Sequence, residues 1–291
     1  MDTVREQVTQ LFCTAVELHG LIARVTGLGE VTVTGPGGTT VHYLENLTRK
    51  VAAAPQQDWA ALVADHVGTG LVHYEVNDAD RLEDKDFAEM QALVRTRLYP
   101  DTGPDHLECV CRPLAPGLVQ RVVLDGVHTI SPVTYPLLRK WEVDADDLFA
   151  LGEHNTRGDG PLSVEEADFP DGAPPWFLLA GDDYTSAHAR WLGDYPDVVG
   201  PEGVLFTVPA ELGIRAAPID GIEVLHAGNI LATLAAHHFV NEPQPISPHL
   251  YRWFDGHIEL AVHVESTDGS LVLQPTEEFT ALLNRLAARP R

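Results

Sequence analysis

Two adjacent carboxylates, Asp182 and Asp183, follow an apolar run and precede a helical pattern. Acids at the C-terminal end of a strand are where many α/β sites keep a general acid or a metal ligand; the same residues also make good helix N-caps. Fourteen histidines offer bases or ligands. His237 and His238 stand near the end of a long apolar helical pattern. Adjacent helical positions point about 100° apart, so the two do not share one ion, and a helix C-terminus favours an imidazolium there without any ligand. His249, His257 and His263 surround a hairpin pattern. His257 and His263 fall on one sheet face, but at roughly 3.3 Å per residue they stand about 20 Å apart, too far for one metal. An enzymatic site would therefore combine Asp182 and Asp183 with a C-terminal histidine such as His237 or His238, with or without a divalent metal.

Cys109 and Cys111 form a Cys-x-Cys pair that a strand would present on one face. A zinc site needs two further ligands, and Cys13 alone does not supply a second pair, so these thiols read as small buried hydrophobes. Asp144-x-Asp146-Asp147 begins like a calcium loop, but Phe149 and Asn155 stand where that loop needs glycine and a bidentate glutamate. Gly35-Pro36-Gly37-Gly38 lacks the Gly-Lys-Ser/Thr ending of a phosphate loop and is followed by a strand pattern, so it reads as a turn. No nucleophile elbow, dinucleotide fingerprint or kinase signature occurs. No metal site and no cofactor is assigned.

The acidity is more informative. The chain holds 43 acidic and 19 basic side chains, a net charge of −24. Between Glu142 and Glu202 there are fifteen acids against Arg157 and Arg190, a net of −13. A field of that sign repels nucleic-acid phosphates and anionic membranes and attracts cations and basic proteins. With 44% hydrophobic residues the chain has the material for a core, so disorder does not account for the charge. Three cysteines, no visible signal peptide and no apolar run of membrane-spanning length read as a soluble cytoplasmic protein.

The elements that must position these groups are mixed. Residues 2–19 carry apolar side chains at helical spacing, and 31–34 and 39–43 form a hairpin pattern. Helices are predicted over 44–54, 56–68, 86–98, 134–141 and 144–153, the last with Asp144 as N-cap and Asp147 facing the dipole. Strands are predicted at 107–112 and 118–124. Residues 157–175, rich in Gly, Pro and acids, read as a loop or linker. Beyond it the order is strand 176–180, helix 183–193, strands 204–208 and 214–216, helix 221–240, a hairpin through Asp255-Gly256, a strand at 271–273 and a helix over 276–288 capped by Thr276. Hairpins prevail over strict βαβ alternation, which points to an α+β fold. The expected organisation is an N-terminal α+β region over 1–156, a linker over 157–175 and a C-terminal α+β region over 176–291.

Several short motifs occur in a recognisable order. Leu138-Arg139-Lys140-Trp141 precedes Asp147-Leu148-Phe149-Ala150-Leu151-Gly152-Glu153-His154-Asn155-Thr156. After them come Asp182-Asp183-Tyr184-Thr185-Ser186-Ala187, Phe206-Thr207-Val208-Pro209, Pro245-Ile246-Ser247, Tyr251-Arg252 and Asp255-Gly256. Across roughly residues 30–262 this order resembles the bacterial YtpQ-like family, whose members have no established function. The resemblance implies an intracellular α+β protein and carries no catalytic residues. The chain departs from the family in the acidic stretch 157–175 and in its histidine-rich C-terminal half.

The expectation is a non-enzymatic binding protein for a basic protein or peptide, such as an immunity-type inhibitor or an accessory protein. Asp144, Asp146, Asp147, Asp159, Glu165, Glu166, Asp168 and Asp171 are its predicted contact residues. The alternatives are the carboxylate–histidine enzyme above and an acidic mimic of nucleic acid. Direct nucleic-acid or membrane binding is not expected, and the sequence leaves the oligomeric state open.

Overall fold

The computed structural model describes residues 2–36, 38–77, 85–103, 108–126, 130–167, 175–181, 184–211, 213–267 and 270–289. They form an α+β protein with three antiparallel sheets. The chain divides into two compact units. One is built on residues up to Glu89 and takes in Asn241–Gln244; the other is built on Met90 onward.

The first unit opens with α1 (Asp2–Leu18), followed by β1 (Ile22–Gly27), β2 (Glu30–Gly35) and β3 (Gly38–Tyr43). Then come α2 (Glu45–Ala52) and α3 (Trp59–Asn77). The helical spacing in α1 places Val8, Phe12, Ala15 and Val16 in the core, where they meet Val31 and Val33 of β2 and Leu47, Val51 and Val63 of the other helices. The expected hairpin is β2–β3, and β1 adds a third strand that the sequence did not announce.

After the short α4 (Phe87–Met90) the chain becomes β4 (Val94–Pro100), where a helix over 86–98 was expected. Val94, Thr96 and Leu98 are buried at a period of two, but Phe87, Met90 and Val94 recur at helical spacing, so the segment read as a helix. The second sheet pairs β4 with β6 (Leu118–Asp125), whose other edge is divided between β5 (Cys111–Ala115) and β7 (Ile130–Pro132). The strand expected at 107–112 is thus displaced towards the turn; Leu107 lies outside the described residues. Two helices follow, α5 (Tyr135–Trp141) and α6 (Ala145–Gly158), with Thr134 and Asp144 as their N-caps.

The third sheet has seven strands: β8 (Ser163–Ala167), β9 (Trp176–Ala180), β10 (Val204–Ala210), β11 (Gly213–Pro218), β12 (Leu250–Phe254), β13 (His257–Thr267) and β14 (Ser270–Pro275). Their order is β14-β13-β12-β10-β11-β9-β8. Every residue of β10 is buried, because the sheet is covered on both faces. On one face, Val204, Phe206 and Val208 pack with Leu98, Leu118, Leu192 and Tyr251. On the other, Leu205 packs with residues of α7 (Val224–Asn241) and α8 (Glu277–Ala287). Asp255 and Gly256 both have positive φ (47° and 80°), as the tight turn between β12 and β13 requires.

The described part of the stretch 157–175 belongs to the second unit. Gly158 still belongs to α6, and Ser163–Ala167 pairs residue for residue with β9. A core that joins Leu98 and Leu118 to Leu179 and Phe206 spans the expected cut. Backbone pairing needs no apolar alternation, which is why an acidic strand read as a loop.

Candidate functional site

Two arrangements in the second unit gather groups capable of chemistry or recognition. One is a buried polar seam; the other is an exposed acidic edge.

The seam begins where α6 lies against β4. Gly152 makes the approach possible: a Cβ there would stand 2.8 Å from Thr96 Cγ2 and 3.2 Å from the Arg95 carbonyl. Thr156 donates to the Gly152 carbonyl at 2.7 Å and accepts from the Thr96 N–H at 3.1 Å. Asn155 donates to the carbonyls of Gln91 and Val94, both at 2.9 Å. Arg95 grips Asp159 with two hydrogen bonds of 2.6 and 2.9 Å. One turn-by-turn set of side chains thus fixes the helix to the strand.

Next to it, Arg97 of β4 forms an ion pair with Glu211, both more than 90% buried. Its guanidinium lies 6.0 Å from the ring centre of Tyr184. Burial, reinforced by a hydrogen bond to Asp125, raises the Tyr184 pKa far above the usual phenol value. The 3₁₀ helix Thr185–Asp194 turns Thr185, Ser186 and His188 inward, and Ser186 accepts from the Leu98 N–H. His188 Nδ1 accepts from Trp191 Nε1 at 3.1 Å and pairs with the Tyr195 hydroxyl at 2.6 Å. An indole N–H can only donate, so Nδ1 bears the lone pair and the neutral ring carries its proton on Nε2. Tyr195 then donates to Nδ1 while accepting from the Leu162 N–H at 3.1 Å. Burial raises its pKa, which keeps that proton in place.

Thr156, Asp159, Gly160, Leu162, Tyr184 and His188 contribute to a cleft of about 60 Å³. A pocket for a small organic molecule holds about 300 Å³ or more, so this one suits a few waters. Neutral phenols and a histidine locked by its neighbours position the 3₁₀ helix; they do not form an activated nucleophile. Of these residues the sequence offered Asp159 as a contact residue and Gly152, Asn155, Thr156, Tyr184, Thr185 and Ser186 within motifs, but not Arg97, His188, Tyr195 or Glu211. Thr96–Thr156 and Leu98–Ser186 join residues 60 and 88 positions apart, whereas His188 meets Trp191 and Tyr195 within seven positions.

Capping explains the acids at the start of α6. Asp144 accepts from the Asp146 N–H at 2.8 Å, and Asp146 and Asp147 occupy the first turn, facing the dipole. Ion pairing explains four more: Glu153 with Arg112, Asp159 with Arg95, Asp194 with Arg157, and Glu202 with Arg252 and Arg289. Asp159, expected as a contact residue, is therefore held by Arg95 of β4. Glu165 and Glu166 differ. Both are exposed on β8, and among the described residues neither makes an ion pair or side-chain hydrogen bond. The acidic region is also not one patch. α6 has 14 residues, so its N-terminal acids stand about 21 Å from its C-terminal end, where the chain leaves for β8.

Asp168, Asp171, Asp182 and Asp183 lie outside the described residues. His237 and His238 sit in the last turns of α7 with ring centres 5.4 Å apart and edge to face. His263 stacks on His249 at 4.3 Å and not on His257; His249 Nδ1 accepts from the Val264 N–H. Cys109 is buried and bridges to Thr134, and all three cysteines are free thiols. Among the described residues no group of three or more His, Cys, Asp or Glu side chains could hold a metal, and no helix is long and apolar enough to cross a membrane. Comparison with family models, curated proteins and solved structures finds no match to this chain.

Proposed function

We propose that this chain is a non-enzymatic binding protein that recognises a basic protein or peptide through the acidic edge of its seven-stranded sheet. The observation that carries this reading is the state of Glu165 and Glu166: exposed, adjacent on an open strand and without an ion pair, while Asp144 caps a helix and Glu153, Asp159, Asp194 and Glu202 pair with arginine. Charge without a structural task is available to a ligand. A net charge of −24 adds a long-range field that speeds encounter with a cationic partner by roughly 10- to 1,000-fold at low salt. An inhibitor of a basic toxin and an accessory protein for a basic substrate are two roles such a surface would serve. Membership of the YtpQ-like family and a cytoplasmic location belong to the same proposal and rest on motif order and cysteine usage.

The test is binding of basic, neutral and acidic peptides of equal length to the immobilised protein. Basic peptides should bind alone and weaken as salt rises to physiological strength. Glu165→Gln with Glu166→Gln should weaken them further, whereas the same loss of charge at Glu277 and Glu278 of α8 should not. Equal binding of neutral peptides, or indifference to the β8 double variant, overturns the reading.

A further inference from the structure

β8 is the last strand of its sheet. It pairs with β9 on one side, and among the described residues no strand pairs with its other side. Ser163, Val164, Glu165 and Glu166 are all exposed, Val164 at 40%. The strand is thus open at its edge and over much of both faces. An open edge presents backbone N–H and C=O groups at strand spacing, and such edges accept an added strand from another chain.

Resting on the proposed function, we infer how the basic partner is held: an extended segment of it adds to β8 as an eighth strand. The charges select the occupant. Successive side chains of a strand point to opposite faces, so Glu165 lies on one face and Glu166, with Val164, on the other. The complementary strand carries two consecutive basic residues, one for each glutamate, next to a β-branched or apolar residue opposite Val164. A second copy of this chain fits worse. In the central antiparallel registers, β8 paired with its own copy sets glutamate directly opposite glutamate, which destabilises the pair. Backbone hydrogen bonds supply affinity in this mode, and the two carboxylates supply register and choice of partner.

The experiment uses the full chain and a fluorescein-labelled peptide, Thr-Val-Lys-Lys-Val-Thr, beside the same peptide N-methylated at every residue. The second keeps the charge but cannot donate to a sheet edge. Strand addition predicts that the first binds and the second is weaker by about tenfold or more, since tenfold corresponds to the net worth of about one hydrogen bond. It also predicts slower hydrogen exchange of Ser163–Ala167 amides in the complex. Equal, salt-sensitive binding of both peptides with no protection of β8 overturns strand addition and leaves charge recognition standing. Failure of both peptides to bind overturns the two together. Protection of β8 and a dimer without peptide assign the edge to a second copy and also overturn the inference.

Discussion

Single residues in this protein carry costs that follow from where they are buried. Arg97 and Glu211 exchange charge where almost no water reaches them. Removing one partner strands the other charge in a poorly solvated site. Glu211→Gln should therefore cost about 3–5 kcal/mol in chemical denaturation, while replacing both by apolar residues of similar volume should recover much of that loss. Thr276 accepts the Phe279 N–H at 3.2 Å at the start of α8. Thr276→Ala should lower stability by about 1 kcal/mol, measured the same way. The cap, the glutamates after it and the apolar spacing of Phe279, Leu282, Leu283 and Leu286 were legible in the sequence, because they are all local to one helix. The pairing of Arg97 with Glu211 and of Tyr184 with Asp125 was not, because each closes over a long stretch of chain.

At the scale of elements, the junction of α6 and β4 is the closest approach in the second unit's polar seam. Gly152→Ala should push the helix off the strand and strain the contacts of Asn155 and Thr156; a loss of about 1–3 kcal/mol and a lower thermal midpoint are expected. Three histidines couple elements to pH. His42 of β3 and His66 of α3 flank Phe12 with ring centres 5.4 and 6.4 Å away, and His249 stacks on His263. Burial lowers the pKa of all three; neighbouring positive charge adds to the effect at His66, from Lys50 and His42, and at His249, from His263. The unfolded chain then binds more protons than the folded one below the ordinary histidine value of about 6.5. Their contribution is intact above that pH and is lost as pH falls below it. Denaturant midpoints should decline from pH 7.5 to pH 5, and His249→Asn should flatten part of that decline. Among the elements, β4 and β8 escaped sequence reasoning: Phe87, Met90 and Val94 recur at helical spacing ahead of β4, and in β8 glutamates stand where apolar alternation is sought. In β4 Arg95 and Arg97 are paired with Asp159 and Glu211; in β8 the glutamates face solvent.

For the whole molecule the dominant quantity is the net charge of −24. Like charges crowd together on folding, so screening should favour the compact state. Raising sodium chloride from about 0.01 M, where the Debye length is about 30 Å, to 0.15 M, where it is about 8 Å, should raise the thermal midpoint. A fall over that range would mean that surface ion pairs such as Arg157–Asp194 outweigh the repulsion.

By itself the sequence determined the α+β class, the helix caps at Asp144 and Thr276, the hairpin turn at Asp255-Gly256 and the sign of the field, since these depend on local spacing and on composition. Tertiary structure alone decided which acids remain unspent. Asp159 and Glu165 are alike in a list of residues. One meets an arginine 64 positions earlier in the chain, and the other stands on a sheet edge among solvent. That difference is made by pairing across distant segments, and no local pattern encodes it.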